Sequence, residues 1–124
     1  MVEVDSSEIL ARFIFSIRMY RADNSIRHTA FIPNPKNSET SVFRISDISD
    51  DEIWEIGDSV GVIREKPILG RADITAAVVM SKDLKIIPEE PPERHANIIG
   101  WSNDLSKQKM IALELASEAQ LHLK

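Results

Sequence analysis

"LKIIPEEPPERHANIIGW", residues 84–101, carries two short isoleucine-rich runs on either side of a proline-rich polar connection. Apolar runs of this length bounded by proline and glycine are strand signals. Pro91 and Pro92 lack amide donors, so the connection lies outside any central strand. Strands are therefore expected over 84–88 and 96–101, joined by an extended segment. Because side chains alternate along a strand, His95, Asn97, Ile99 and Trp101 share one face, and Ala96, Ile98 and Gly100 share the other. The first face starts polar and ends apolar, the pattern of a strand running from the rim of a cleft into a core.

Working outward, "SVFRIS" (41–46) and "IRHTAFIP" (26–33) are rich in β-branched and aromatic residues, and "NPKNSE" between them has turn chemistry. They predict a hairpin with a long loop. Ser49 and Glu52 form a capping box that opens a helix near 50–64, with Ile53, Ile56, Val60 and Ile63 as its buried stripe and Trp54 off it. Ser6 or Ser7 caps a first helix over about 6–15, where Ile9, Leu10, Phe13 and Ile17 fall on one side; 16–22 fits helix and strand equally. "ITAAVVMS", within 73–81, fits a strand or a short helix. Leu105, Ile111, Ala112, Leu113, Leu115, Ala116 and Leu121 predict a helix over 104–122. The expected architecture is α+β, a single domain over residues 1–124. Its small, mainly antiparallel sheet of three or four strands is covered by two or three helices, with Ile53, Ile56, Leu113 and Ala116 in the core.

A chain of 124 residues with 43% hydrophobic and 28% charged residues fits one folded domain. It has no cysteine, so neither disulfides nor thiolate-ligated metal hold it together. The opening "MVEVDSSE" is acidic and is not followed by a signal-peptide pattern, and no apolar run approaches the roughly 20 residues of a membrane span. A cytoplasmic protein without membrane attachment is expected. The net charge of −5 argues against nucleic-acid binding, which rests on clustered lysine and arginine. Six carboxylates between Asp47 and Asp58 form an acidic stretch: Asp47, Asp50, Asp51, Glu52, Glu55 and Asp58. Acidic residues suit a helix start, and the same face, led by Asp47, Asp50, Asp51 and Glu55, suits a basic protein partner.

Candidate binding residues are Arg94, His95, Asn97 and Trp101, Arg71 and Asp73 in "GRAD", and Trp54. Arginines hold anions, and histidine transfers protons near neutral pH. The architectural reading of the same residues is that His95 and Asn97 bond loop carbonyls and amides while Arg94 pairs with Glu89, Glu90 or Glu93. No phosphate loop or nucleophile elbow occurs, and Ser102 and Ser106 have no recognisable base nearby in sequence. Glu118 and His122, four apart on the expected last helix, read as a solvated pair in preference to metal ligands. No cofactor or metal is expected.

The series "RFIF", "AFIP", "SVFRIS", "EIW", "GRAD" and "PPERHANIIGW" resembles a family of small, uncharacterised bacterial proteins in which these segments recur together. The resemblance covers roughly residues 9–120 and implies a single-domain bacterial protein; it assigns no catalytic role. Two function classes follow. The first is a protein-interaction or regulatory module using the acidic face or the tryptophans. The alternative is a small enzyme or a nucleotide- or anion-binding protein with a polar cleft around Arg94 and His95, in which Arg71 also holds the anion and Asp73 or Asn97 orients the histidine.

Overall fold

The computed structural model describes residues 2–124. Six strands form one sheet: β1 (Ile9–Ile14), β2 (Thr40–Arg44), β3 (Gly70–Thr75), β4 (Lys85–Pro88), β5 (His95–Ile99) and β6 (Gln120–Leu123). Their order is β4-β5-β2-β1-β3-β6, and every neighbouring pair is antiparallel. Helix α1 (Asp50–Arg64) covers one face, where Ile53 packs with Ala11, Phe13, Phe43, Ile45 and Ile68. On the other face Leu10, Ile14, Val42, Ile74 and Ile98 meet α2 (Ala76–Met80), α3 (Leu105–Glu118) and two 3-10 turns, Ile17–Met19 and His28–Ala30. The α+β expectation holds, in a single domain with a larger sheet. Among the described residues no helix is long and apolar enough to cross a membrane.

Both strands expected within 84–101 form, and they pair as a hairpin, β4 with β5 from Lys85↔Ile99 to Pro88↔Ala96. Its alternation ends at Gly100, whose φ of +93° turns the chain. Trp101 therefore joins Ala96 and Ile98 in the core on the α2–α3 side, and does not share the face of His95 and Asn97. The capping box also forms: the Ser49 hydroxyl accepts from the Glu52 amide and donates to its carboxylate. Helix α1 lies so close to the sheet at Gly57 that a Cβ there would come within 2.9 Å of the Phe13 ring. Ile56 and Val60 are half-buried, whereas Ile63, expected in the stripe, is 74% exposed because the buried face of the helix runs through Ile53, Gly57 and Gly61.

Four further expectations are corrected. Residues 6–15 contain strand β1 in place of a helix, because β2 and β3 satisfy its backbone from both sides and its alternation feeds both apolar layers. Residues 26–33 form no strand and no hairpin with 41–46; the chain makes a 3-10 turn that buries Ala30 and Phe31, and β2 pairs with β1 and β5 instead. The last helix stops at Glu118, and residues 120–123 become β6, which occupies the open edge of β3. Leu113, expected in the core, is 44% exposed, while Ala112, Leu115 and Ala116 carry the buried side of α3. The ambiguous 73–81 stretch is both structures in turn, with Thr75 ending β3 and capping α2 through its hydroxyl.

Candidate functional site

A cleft opens where two central strands part. β1 and β2 pair only at Leu10↔Arg44 and Ala11↔Phe43. Beyond that point β1 continues with β3 as far as Ile14↔Gly70, and β2 continues with β5 as far as Thr40↔Ile98. Backbone groups facing such a gap need other partners. Arg12 supplies them: its Nη1 donates to the Ser41 carbonyl at 2.9 Å and its Nε to the Ala30 carbonyl at 2.8 Å. The turn that carries Ala30 is held in place by Thr40, whose buried hydroxyl donates to the Phe31 carbonyl at 2.9 Å.

The cleft measures about 760 Å³ and is lined by Arg12, Ser41, His95 and Asn97 from the sheet, Arg64 from the end of α1, and the 28–37 segment. Ser41 and Asn97 are cross-strand partners, as are Phe43 and His95. His95 Nε2 lies 2.8 Å from the Ser41 hydroxyl, and His95 Nδ1 lies 2.8 Å from the Glu89 carbonyl oxygen. A carbonyl oxygen only accepts, so Nδ1 carries a proton, and in the tautomer this fixes Nε2 is the acceptor for the Ser41 hydroxyl. The ring packs on Phe43 with centroids 5.3 Å apart. Asn97 is 5% exposed and donates its amide to the Glu89 carboxylate.

Two guanidinium groups and two carboxylates line the cleft. Burial pulls the Arg12 pKa down to about 10, and the positive charge of Arg64 adds to the shift; Arg12 remains a cation at neutral pH. Arg64 sits 5.1 Å from the centroid of the Phe15 ring. Among the described residues neither arginine forms an ion pair. His28 also lines the cleft, and burial, with the positive charges of Lys109, Arg21 and Arg27 adding to it, lowers its pKa from the ordinary histidine value. Glu39 and Glu89 contribute negative charge, but Asn97 engages the Glu89 carboxylate.

The residues singled out in the sequence do not meet in one place. His95 and Asn97 line the cleft. Arg94 turns away from it; its Nη1 donates to Asp47 at 2.9 Å and to the Arg44 carbonyl at 3.2 Å. Arg71, Asp73, Trp54 and Asp50 form a separate cluster under α1. There Arg71 donates to Asp73 and Asp50 at 3.1 and 3.0 Å and lies 4.7 Å from the Trp54 ring centroid. Burial raises the Asp73 carboxyl above its usual 3.8, against the opposing pull of Arg71 and His122. Trp101 is core, its indole nitrogen donating to the Ile98 carbonyl at 3.3 Å. Asp51 and Glu55 are exposed. Glu118 ends α3 while His122 lies in β6, so they share no helix face. No group of three His, Asp or Glu side chains among the described residues is placed to hold a metal ion.

Sequence reasoning passed over Arg12, Ser41 and Arg64. Their only local signal is a charged residue interrupting the apolar "LARFIF" and a serine opening "SVFRIS". Comparison with protein-family models, with curated proteins and with solved structures finds no match to this chain.

Proposed function

We propose that the cleft binds a small anionic ligand whose phosphate or carboxylate group sits between Arg12 and Arg64. The observation that carries this reading is Arg12, a half-buried cation whose hydrogen bonds go to two carbonyl oxygens, in a cleft that a second unpaired cation also lines. Moving a guanidinium out of water is costly unless an anion accompanies it. The planar fork of arginine suits phosphate and carboxylate oxygens. The volume of about 760 Å³ falls in the range of small-molecule sites. The anion-holding role that the sequence reading gave to Arg94 and Arg71 passes to Arg12 and Arg64, since the former two are occupied by carboxylates. A cytoplasmic setting is in keeping with a chain that has no cysteine.

Calorimetric titration and thermal unfolding with inorganic phosphate, pyrophosphate and citrate test the reading. Saturable binding is expected, adding about 2.7 kcal/mol of stability at a hundredfold excess over Kd. The affinity should fall at least about tenfold in Arg64→Ala, roughly the loss of one charge-assisted contact. Failure of all three probes to bind at low ionic strength would overturn it.

A second reading, the protein-interaction module, keeps one supporting observation. Asp51 and Glu55 are exposed and enter no ion pair among the described residues, and on the same helix Val62 and Ile63 are 78% and 74% exposed. Charge reversal at Asp51 and Glu55 should then weaken capture of a basic partner in a salt-dependent way. Unchanged capture removes the acidic face from consideration.

A further inference from the structure

The geometry points to Ser41 as a nucleophile and His95 as its general base, in an acyl-transfer site that opens a carboxylic ester bearing an anionic group. This rests on the anion-binding reading for the placement of the substrate, but not for the reactivity of the serine. A serine hydroxyl becomes nucleophilic when a base within hydrogen-bond reach accepts its proton and a third group orients that base. All three parts are present: Ser41 Oγ at 2.8 Å from His95 Nε2, His95 Nδ1 at 2.8 Å from the Glu89 carbonyl, and the Phe43 ring against the imidazole. The carbonyl does for the tautomer what a carboxylate does in a Ser-His-Asp triad. Neither Ser41 nor His95 is fully buried, and both line the open cleft.

The adjacent groups suit an acyl substrate. Arg12 donates to the backbone carbonyl oxygen of Ser41 at 2.9 Å, which ties a guanidinium of the anion site to the strand that carries the nucleophile. The substrate's own anionic group sits between Arg12 and Arg64, and Ile32, Pro33 and Pro35 give the cleft an apolar lining for a short acyl chain.

In the first step the Ser41 oxygen adds to the ester carbonyl carbon while its proton passes to His95 Nε2. The tetrahedral adduct collapses, the bond from carbon to the alcohol oxygen breaks, and Nε2 returns the proton to the departing alcohol. Water then attacks the acyl-serine with its proton going to Nε2. The bond to Ser41 Oγ breaks, the serine recovers its proton, and the carboxylic acid leaves.

The test is labelling with an alkyl fluorophosphonate, which a base-activated serine attacks at phosphorus with loss of fluoride. Intact mass and peptide mapping locate the adduct. One adduct at Ser41 is expected in the folded protein, absent from Ser41→Ala and slowed at least a hundredfold in His95→Gln, with circular dichroism confirming that both variants fold. No adduct at Ser41 in folded wild type, or equal labelling in His95→Gln, overturns the dyad whatever the anion titrations show. Labelling without phosphate, pyrophosphate or citrate binding would uphold the dyad and remove the anion reading. Anion binding without labelling would do the reverse.

Discussion

Two arginine sites on neighbouring strands of the sheet solve the same physical problem in opposite ways. Arg71 is 4% exposed and surrounded by Asp73, Asp50 and the Trp54 ring, so its charge is balanced within the fold. Arg12 has carbonyl oxygens in place of carboxylates, a second cation nearby, and an open cleft in front of it. A closed, neutralised cluster has no electrostatic need of a ligand. An open one is completed by an anion. The difference also explains why a strongly conspicuous charged cluster is a poor guide to function here: Arg71 and Asp73 neutralise one another, although Arg71 Nη1 stays buried without a hydrogen-bond partner.

The sharpest test of the contrast is Arg71→Ala. It leaves Asp73, 13% exposed at its side chain, without its main counter-ion, and removing one partner of a buried pair costs about 3–5 kcal/mol. Urea unfolding measures this, and a loss under about 1 kcal/mol would deny that the cluster is a closed structural unit. Arg12→Met should cost less, about 1–3 kcal/mol, because it strands two carbonyls but also removes a buried charge. It should abolish anion binding. A stability loss equal to that of Arg71→Ala would place both arginines in the same structural class and break the comparison.

Arg44 extends the paired class, its Nε lying 2.7 Å from Glu8. The Arg44 hydrogen bonds hold the Glu8 carboxyl below its usual 4.5, against the upward push of burial. A depressed carboxylate stabilises the fold above its unfolded pKa, and the contribution is lost as pH falls through the lower folded value. Stability should therefore drop as pH falls below about 4.5, and Glu8→Gln should flatten that part of the slope in acid titrations followed by circular dichroism. An unchanged slope would show that the pair carries no pH linkage. The smallest stability effect is expected from Arg64→Ala, within about 0.5 kcal/mol, since this side chain sits exposed at the end of α1. Its signature is lost anion affinity at nearly constant stability, which no paired arginine should reproduce.

Readings from the sequence succeeded where a few neighbouring residues determine the outcome. Ser49 and Glu52 sit at the spacing a helix start requires, and the prolines at 91 and 92 separate two runs that could only be strands. They failed where a distant partner decided. Ile9, Leu10, Phe13 and Ile17 match a helix face, yet flanking strands on both sides impose β1. Residues 120–123 continue a helical pattern in sequence, yet the unpaired edge of β3 draws them into β6. Local periodicity measures burial on one element and is blind to backbone partners elsewhere.

The cleft divides along the same line. Alternation along residues 95–101, with polar residues at its start, by itself put His95 and Asn97 at the rim of an opening, composition made the chain a folded domain, and the apolar stripes beside β-rich segments made it α+β. The pairing register decided which residues join them, because it sets Phe43 opposite His95 and Ser41 opposite Asn97. That places the Ser41 hydroxyl on the imidazole of a residue 54 positions away. The parting of β1 from β2 decided that Arg12 would fill a gap in the sheet with its charge unpaired. Neither fact is written in any short stretch of sequence, because hydrogen-bond partners across a sheet are chosen by the packing of the whole core.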